Sequence, residues 1–123
     1  MQQFGLIKNY TSQGVADQYC LIAPGTKDGH VKQATVGDKI LGVSGVRGAK
    51  DKARLDVYHD GIRAVTFGGD VVFGDPLTSD AQGRAVKADP ADGETVPIAG
   101  HAMCSAKSGV VADMHVLPGY ITG

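Results

Sequence analysis

The sequence predicts an all-β fold, a small β-barrel or β-sandwich, and three observations carry that expectation. Glycine fills 18 of the 123 positions, about twice its ordinary share. Short Val- and Ile-bearing runs are bounded by turn dipeptides such as Pro24-Gly25, Asp28-Gly29, Asp60-Gly61 and Gln82-Gly83, the punctuation of closely spaced strands. In the middle of the chain the only candidate for anything but a strand is Gly48-Ala49-Lys50-Asp51-Lys52-Ala53-Arg54. It is polar, lacks an apolar stripe and is too short to hold a helix, so a loop or one helical turn is expected there.

Residues 1–17 read as an N-terminal arm, with Phe4, Leu6, Ile7 and Tyr10 set among polar residues and glycine without a clear period. Four large apolar side chains are unusual in a solvated tail. The segment is expected to be either an edge strand of the domain's own sheet or a docking segment for a neighbouring molecule. From residue 18 a single β domain runs to residue 123.

Its first strand is Gln18-Tyr19-Cys20-Leu21-Ile22-Ala23, followed by His30-Val31-Lys32-Gln33-Ala34 and Lys39-Ile40-Leu41-Gly42-Val43-Ser44. Leu55 to His59 and Ile62 to Phe67 flank Asp60-Gly61, a dipeptide that favours the two-residue type I′ hairpin. That hairpin would place Val57 opposite Ala64, Leu55 opposite Thr66 and Tyr58 opposite Arg63. Between Gly69 and Ala88, a short apolar strand, the Gly74-Asp75-Pro76 bend, a second strand, the Gln82-Gly83 turn and a third strand follow in quick succession.

An internal duplication is visible at an offset of 55. Leu21-Ile22-Ala23 then meets Pro76-Leu77-Thr78, Val31-Lys32 meets Val86-Lys87, Val43-Ser44-Gly45 meets Ile98-Ala99-Gly100, and Lys52 meets Lys107. Beyond that the register slips, and Leu55-Asp56-Val57 answers the Asp113-to-Val116 segment only with a gap. Two similar β-units packed together would explain it, although common residues in Val- and Gly-rich strands also match by chance.

The chain length suits one domain that buries roughly 65–70% of its unfolded surface. A net charge of −1 supplies no basic stripe to neutralise a phosphate backbone, so no direct nucleic-acid partner is expected. No stretch reaches the roughly 18 apolar residues of a membrane span, and Met1-Gln2-Gln3 lacks the basic start of a signal peptide. No membrane partner is expected, and the chain is read as made in a cytoplasm. Cys20 and Cys104, far apart and flanked by small or apolar residues, read as buried hydrophobes.

Chemistry-bearing patterns are sparse. Gly42, Gly45 and Gly48 do not match a dinucleotide or phosphate-binding loop, and Gly42-Val43-Ser44-Gly45-Val46 has its second glycine one residue early for a nucleophile elbow. His101 and Cys104, with His115 and Cys20 as further ligands, form the one metal-like grouping. Residues three apart on a strand point to opposite faces, so neither a metal nor any other cofactor is expected. Asp38, Asp60, Asp70, Asp75, Asp80, Asp89, Asp92 and Asp113 mostly adjoin glycine or proline, where aspartate hydrogen-bonds its own turn. With no acid, base and nucleophile converging, no enzyme activity is expected.

The order of motifs from Gly69 onward resembles the capsid cement, or head decoration, proteins of tailed bacteriophages. The residues that carry the resemblance are Gly69-Asp70-Val71-Val72, Gly74-Asp75-Pro76-Leu77, Asp80-Ala81-Gln82-Gly83, Arg84-Ala85-Val86-Lys87-Ala88, Ile98-Ala99-Gly100-His101-Ala102 and the Gly109-to-Val116 segment. Each motif alone is nonspecific; their order and spacing make the likeness. The resemblance implies a β-barrel or β-sandwich that forms homotrimers on the outer surface of the expanded head and clamps neighbouring subunits of the major capsid protein. The arm side chains Phe4, Leu6, Ile7 and Tyr10 are the candidate capsid contacts, through strand addition to an exposed sheet edge. Other readings are a tail-tube or head-fibre subunit, or a small-ligand-binding β-barrel.

Overall fold

In a computed structural model, residues 7–123 are described, and they form ten strands: β1 (Ile7–Ser12), β2 (Leu21–Pro24), β3 (His30–Gln33), β4 (Gly42–Val43), β5 (Arg54–Tyr58), β6 (Gly61–Thr66), β7 (Pro76–Ser79), β8 (Ala85–Lys87), β9 (Thr95–Ala102) and β10 (Val111–Thr122). The all-β expectation holds. β1 to β5 close into a barrel of order β1-β3-β2-β4-β5, and β6 to β10 make a second sheet of order β6-β10-β9-β7-β8.

The second sheet repeats the first, strand for strand. β1 pairs antiparallel with β5, as β6 does with β10; β2 with β3, as β7 with β8; β2 with β4, as β7 with β9; and β4 with β5, as β9 with β10. The parallel contact of Ser12 with Val31 recurs as an isolated parallel bridge of Phe67 with Ala85, and the Ala16–Ala49 bridge recurs as Val71–Ala106. The duplication is therefore real, with three corrections to its register. Val31 answers Ala85; Gly42, paired with Ile22, answers Gly100, paired with Leu77; and Lys52, whose N–H donates to Ser12 O, answers not Lys107 but Gly109, whose N–H donates to Phe67 O.

One seam differs. In the first barrel, Thr11 N–H donates to the Gly29 carbonyl at 2.9 Å and holds β1 against the start of β3. In the second unit the matching seam is parted by the first unit's own chain: Thr66 N–H donates to Tyr19 O and Leu21 N–H to Gly83 O, both at 2.7 Å. Segment 19–21 thus enters between β6 and the turn before β8, satisfies the backbone groups it separates, and locks the two units together.

The expected Asp60-Gly61 hairpin does not form. β5 spends its two edges on β1 and β4, while β6 pairs with β10, so the turn is a crossover between units and not a reversal. Gly61, with φ +86°, still supplies the left-handed conformation that the dipeptide advertised. The non-local pairings of the duplicated units override this local turn signal. Residues Ile7 to Ser12, read as part of an arm, are a strand of the domain's own barrel; Phe4 and Leu6 lie outside the described residues.

Burial alternates along β5 and β7, whereas β2 and the middle of β9 bury consecutive residues. Cys20, Ile22, Val31, Leu55 and Val57 fill the first barrel, and a larger cluster spans both units, with Leu21, Ile40 and Val43 from the first meeting Phe67, Leu77, Met114 and Val116 from the second. Both cysteines are free; Cys20 is buried and Cys104 half-buried. The 48–54 stretch contains turns and no helix.

Candidate functional surfaces

The predicted contact residues divide. Ile7 is 49% exposed at the start of β1, opposite Tyr58. Tyr10 instead belongs to the fold: it packs against the first barrel's core, and its hydroxyl lies 2.8 Å from His59 Nε2. Burial raises the Tyr10 pKa above its ordinary value. His59 is held below the usual imidazole range, first by desolvation and then by the Lys8 charge, against opposing contributions from the Leu41 backbone and Asp60. Tyr10 is an internal anchor for β1.

The chemical patterns resolve into structural roles. Ser44 is buried; its Oγ donates to Asp17 O at 2.8 Å and accepts from Cys20 N–H at 3.0 Å, and no helix follows it as a nucleophile elbow needs. Burial pushes the Cys20 thiol up to about 11. His101 and His115 face each other across β9 and β10, while Cys20 sits in the first barrel's core and Cys104 Sγ reaches only the Asp113 carbonyl. Among the described residues no group of three or more His, Cys, Asp or Glu is placed to hold a metal. Asp38, Asp75 and Asp80 do cap their own turns, bonding the N–H groups of Thr35, Val72 and Gln82.

The feature that sequence reading missed is the turn Val72-Phe73-Gly74-Asp75. It closes through Asp75 N–H to Val72 O at 3.0 Å and is braced by Asp75 Oδ2 on Val72 N–H and by Ser105 Oγ on Phe73 N–H. Rigidity at that corner leaves two large apolar side chains in water: Val72 is 62% and Phe73 66% exposed. The twin turn in the first unit puts Asp17 and Gln18, both exposed, in these two places. The fold therefore accepts polar residues there, and the apolar pair is a property of this corner alone. Aligning the two units would have isolated it, because the offset of 55 sets Val72-Phe73 on Asp17-Gln18. Further exposed apolar side chains, Ile62, Leu117 and Tyr120, lie along β6 and β10.

Fold and surface together define a duplicated, all-β protein whose distinctive exposed features are the apolar Val72-Phe73 corner and the apolar side chains along β6 and β10. No protein-family model matches the sequence, and no curated protein matches it. Among solved structures it is similar to the head fiber gp8.5 N base in bacteriophage phi29, with a TM-score of 0.70 and 20% sequence identity, over 91% of this chain and 93% of that one. That likeness establishes the fold across both units.

Proposed function

We propose that the protein is a structural component of a bacteriophage head, seated on the outer surface of the shell. The observation that carries this reading is the whole-length fold likeness to a head-fibre base; the motif order from Gly69 to Val116, which resembles the capsid cement proteins, supports it independently. In the cement form of the reading, homotrimers bind subunits of the major capsid protein on the expanded head. Binding only the expanded lattice stabilises it by mass action, and three linked contacts hold far more tightly than one. The exposed Val72-Phe73 corner and the N-terminal segment ahead of β1 are the contacts this reading uses.

A second reading, the base of a head fibre, is favoured by the same structural neighbour. Co-sedimentation with expanded, DNA-free heads beside unexpanded procapsids tests the function. Saturation near one copy per major capsid subunit, or a simple fraction of it, with copies clamping neighbouring subunits supports cement; copies that each carry an extended projection away from the shell support a fibre base. Absence of binding to either shell overturns both.

A further inference from the structure

A cleft of about 460 Å³ with mixed polar and apolar walls, on the outer face of the first barrel, is lined by Asn9, Arg54, Asp56, Tyr58, Val46 and Arg47 among others. Arg54 is fixed by neutral acceptors: its Nε donates to Asn9 Oδ1, Nη1 to Thr11 Oγ1 at 2.8 Å, and Nη2 to Asn9 O at 3.4 Å. Three of five guanidinium hydrogens are used, which leaves one on each Nη. Among the described residues no carboxylate forms an ion pair with Arg54. Ion pairs among the described residues are Lys32–Asp38 and Arg84–Asp80, and Asp56, the cleft's carboxylate, accepts from Asn9 Nδ2 at 2.9 Å.

The ladder does not need this arrangement. Thr11 opposite Arg54 and Asn9 opposite Asp56 are answered in the second unit by Thr66 opposite Val111 and Ala64 opposite Asp113. The same pair of strands is thus built with alanine and valine where the first unit spends an asparagine and an arginine to orient a cation. Arg47 adds a second positive charge to the wall, and Val46 and Tyr58 add an apolar side.

We propose that this cleft is a binding site for a carboxylate side chain on a partner polypeptide, received by Arg54 and Arg47. A prepositioned guanidinium matches the planar, two-oxygen geometry of a carboxylate, and the apolar wall suits the methylene stem that carries it. That the carboxylate comes from a shell subunit rests on the function proposed above; the chemistry of the site does not.

Titration of the 15N-labelled protein with glutarate, with sodium chloride at equal ionic strength and with inorganic phosphate, tests the site. Saturable shifts of the Arg54 Nε–H and the Arg47 and Gly48 amides with glutarate at millimolar concentration are expected. The Arg47→Gln variant should weaken them by roughly tenfold. The double variant Asn9→Ala with Arg54→Val, which copies the second unit's ladder and so keeps the fold, should abolish them. Shifts that only track ionic strength, shifts that survive in the double variant, or tighter binding of phosphate than of glutarate each overturn the inference. Co-sedimentation separates the two proposals: unbound wild-type protein would sink the head reading, whereas wild-type and Arg47→Gln proteins that bind heads equally would sink the shell carboxylate alone.

Discussion

Gly42 and Gly100 hold the same place in the two units, each at the point where a neighbouring strand's carbonyl crosses too close for a side chain. A Cβ at Gly42 would lie 2.1 Å from Tyr58 O, and one at Gly100 would lie 1.9 Å from His115 O. Tyr58 and His115 are themselves equivalent, on β5 and β10. The repeat is therefore preserved at the level of steric contact, beyond strand order.

Gly42→Ala and Gly100→Ala should each lose about 2–3 kcal/mol of stability, because the clash is with backbone that cannot turn aside. Gly119→Ala is the control, since nothing lies within 4 Å of its added Cβ. Urea denaturation reads all three. A loss below about 0.5 kcal/mol at Gly42 and Gly100 would refute the equivalence.

Lys52 carries a left-handed φ of +69°, and its N–H donates to Ser12 O; its twin Gly109, at φ +87°, donates to Phe67 O. Left-handed backbone costs a side-chain-bearing residue roughly 1–2 kcal/mol, offset in part by glycine's larger unfolded-state freedom. Lys52→Gly should therefore gain about 0.5–1 kcal/mol in thermal unfolding, and Gly109→Lys, at a site open to a side chain, should lose about as much. A stability loss in Lys52→Gly would contradict the argument.

At the crossover between units the Arg63 guanidinium lies 4.5 Å from the Tyr58 ring centroid, and Arg63 Nε donates to Asp60 O at 3.1 Å. A double-mutant cycle of Tyr58→Leu with Arg63→Ala should give a coupling of about 0.5–1 kcal/mol. Additive losses would show that the contact holds nothing.

His59 sets a pH dependence. Its folded pKa is lowered, first by desolvation, so between the folded value and the unfolded value near 6.5 the unfolded chain binds more protons. Its contribution is fully present above about pH 6.5 and fades as pH falls below it. The thermal midpoint should drop from pH 7.5 to pH 5.5, and His59→Gln should flatten that slope. An equal slope in the variant would show that another group is responsible.

Val72→Asp with Phe73→Gln copies the exposed residues of the twin turn. The double variant should keep its thermal midpoint within a few degrees, as surface changes do, and lose head binding in co-sedimentation. Unchanged binding would remove this corner from the contact surface. A truncation test of the N-terminal contact must stop before Ile7, because Ile7 to Ser12 are β1 and their loss would open the barrel.

Much of this was legible in the residues. Turn dipeptides and short apolar runs placed most strands, and the repeat was visible where β2 and β7 align. The Asp60-Gly61 hairpin misled because a turn signal is local, while the partners of β5 and β6 are fixed by strands far away in sequence. The expected strand from Lys39 to Ser44 is only Gly42 and Val43, for a related reason: apolar Ile40 and Leu41 advertised a longer strand, but its extent is set by distant partners, and only Leu21, Ile22 and Tyr58 pair with it. β10 continues past Val116 to Thr122 through a register shift between Val116 and Gly119 that spans Pro118, and a proline in a run ordinarily demotes it. The Val72-Phe73 corner read as part of a strand because two adjacent apolar residues do not reveal which of them faces water.

Electron cryomicroscopy of expanded heads mixed with saturating protein tests the central proposal most directly. Density for the two-unit β fold is expected on the outer surface, centred on three-fold positions if the cement form holds, with no such density on unexpanded procapsids. A bare expanded shell at saturating protein would contradict the proposal.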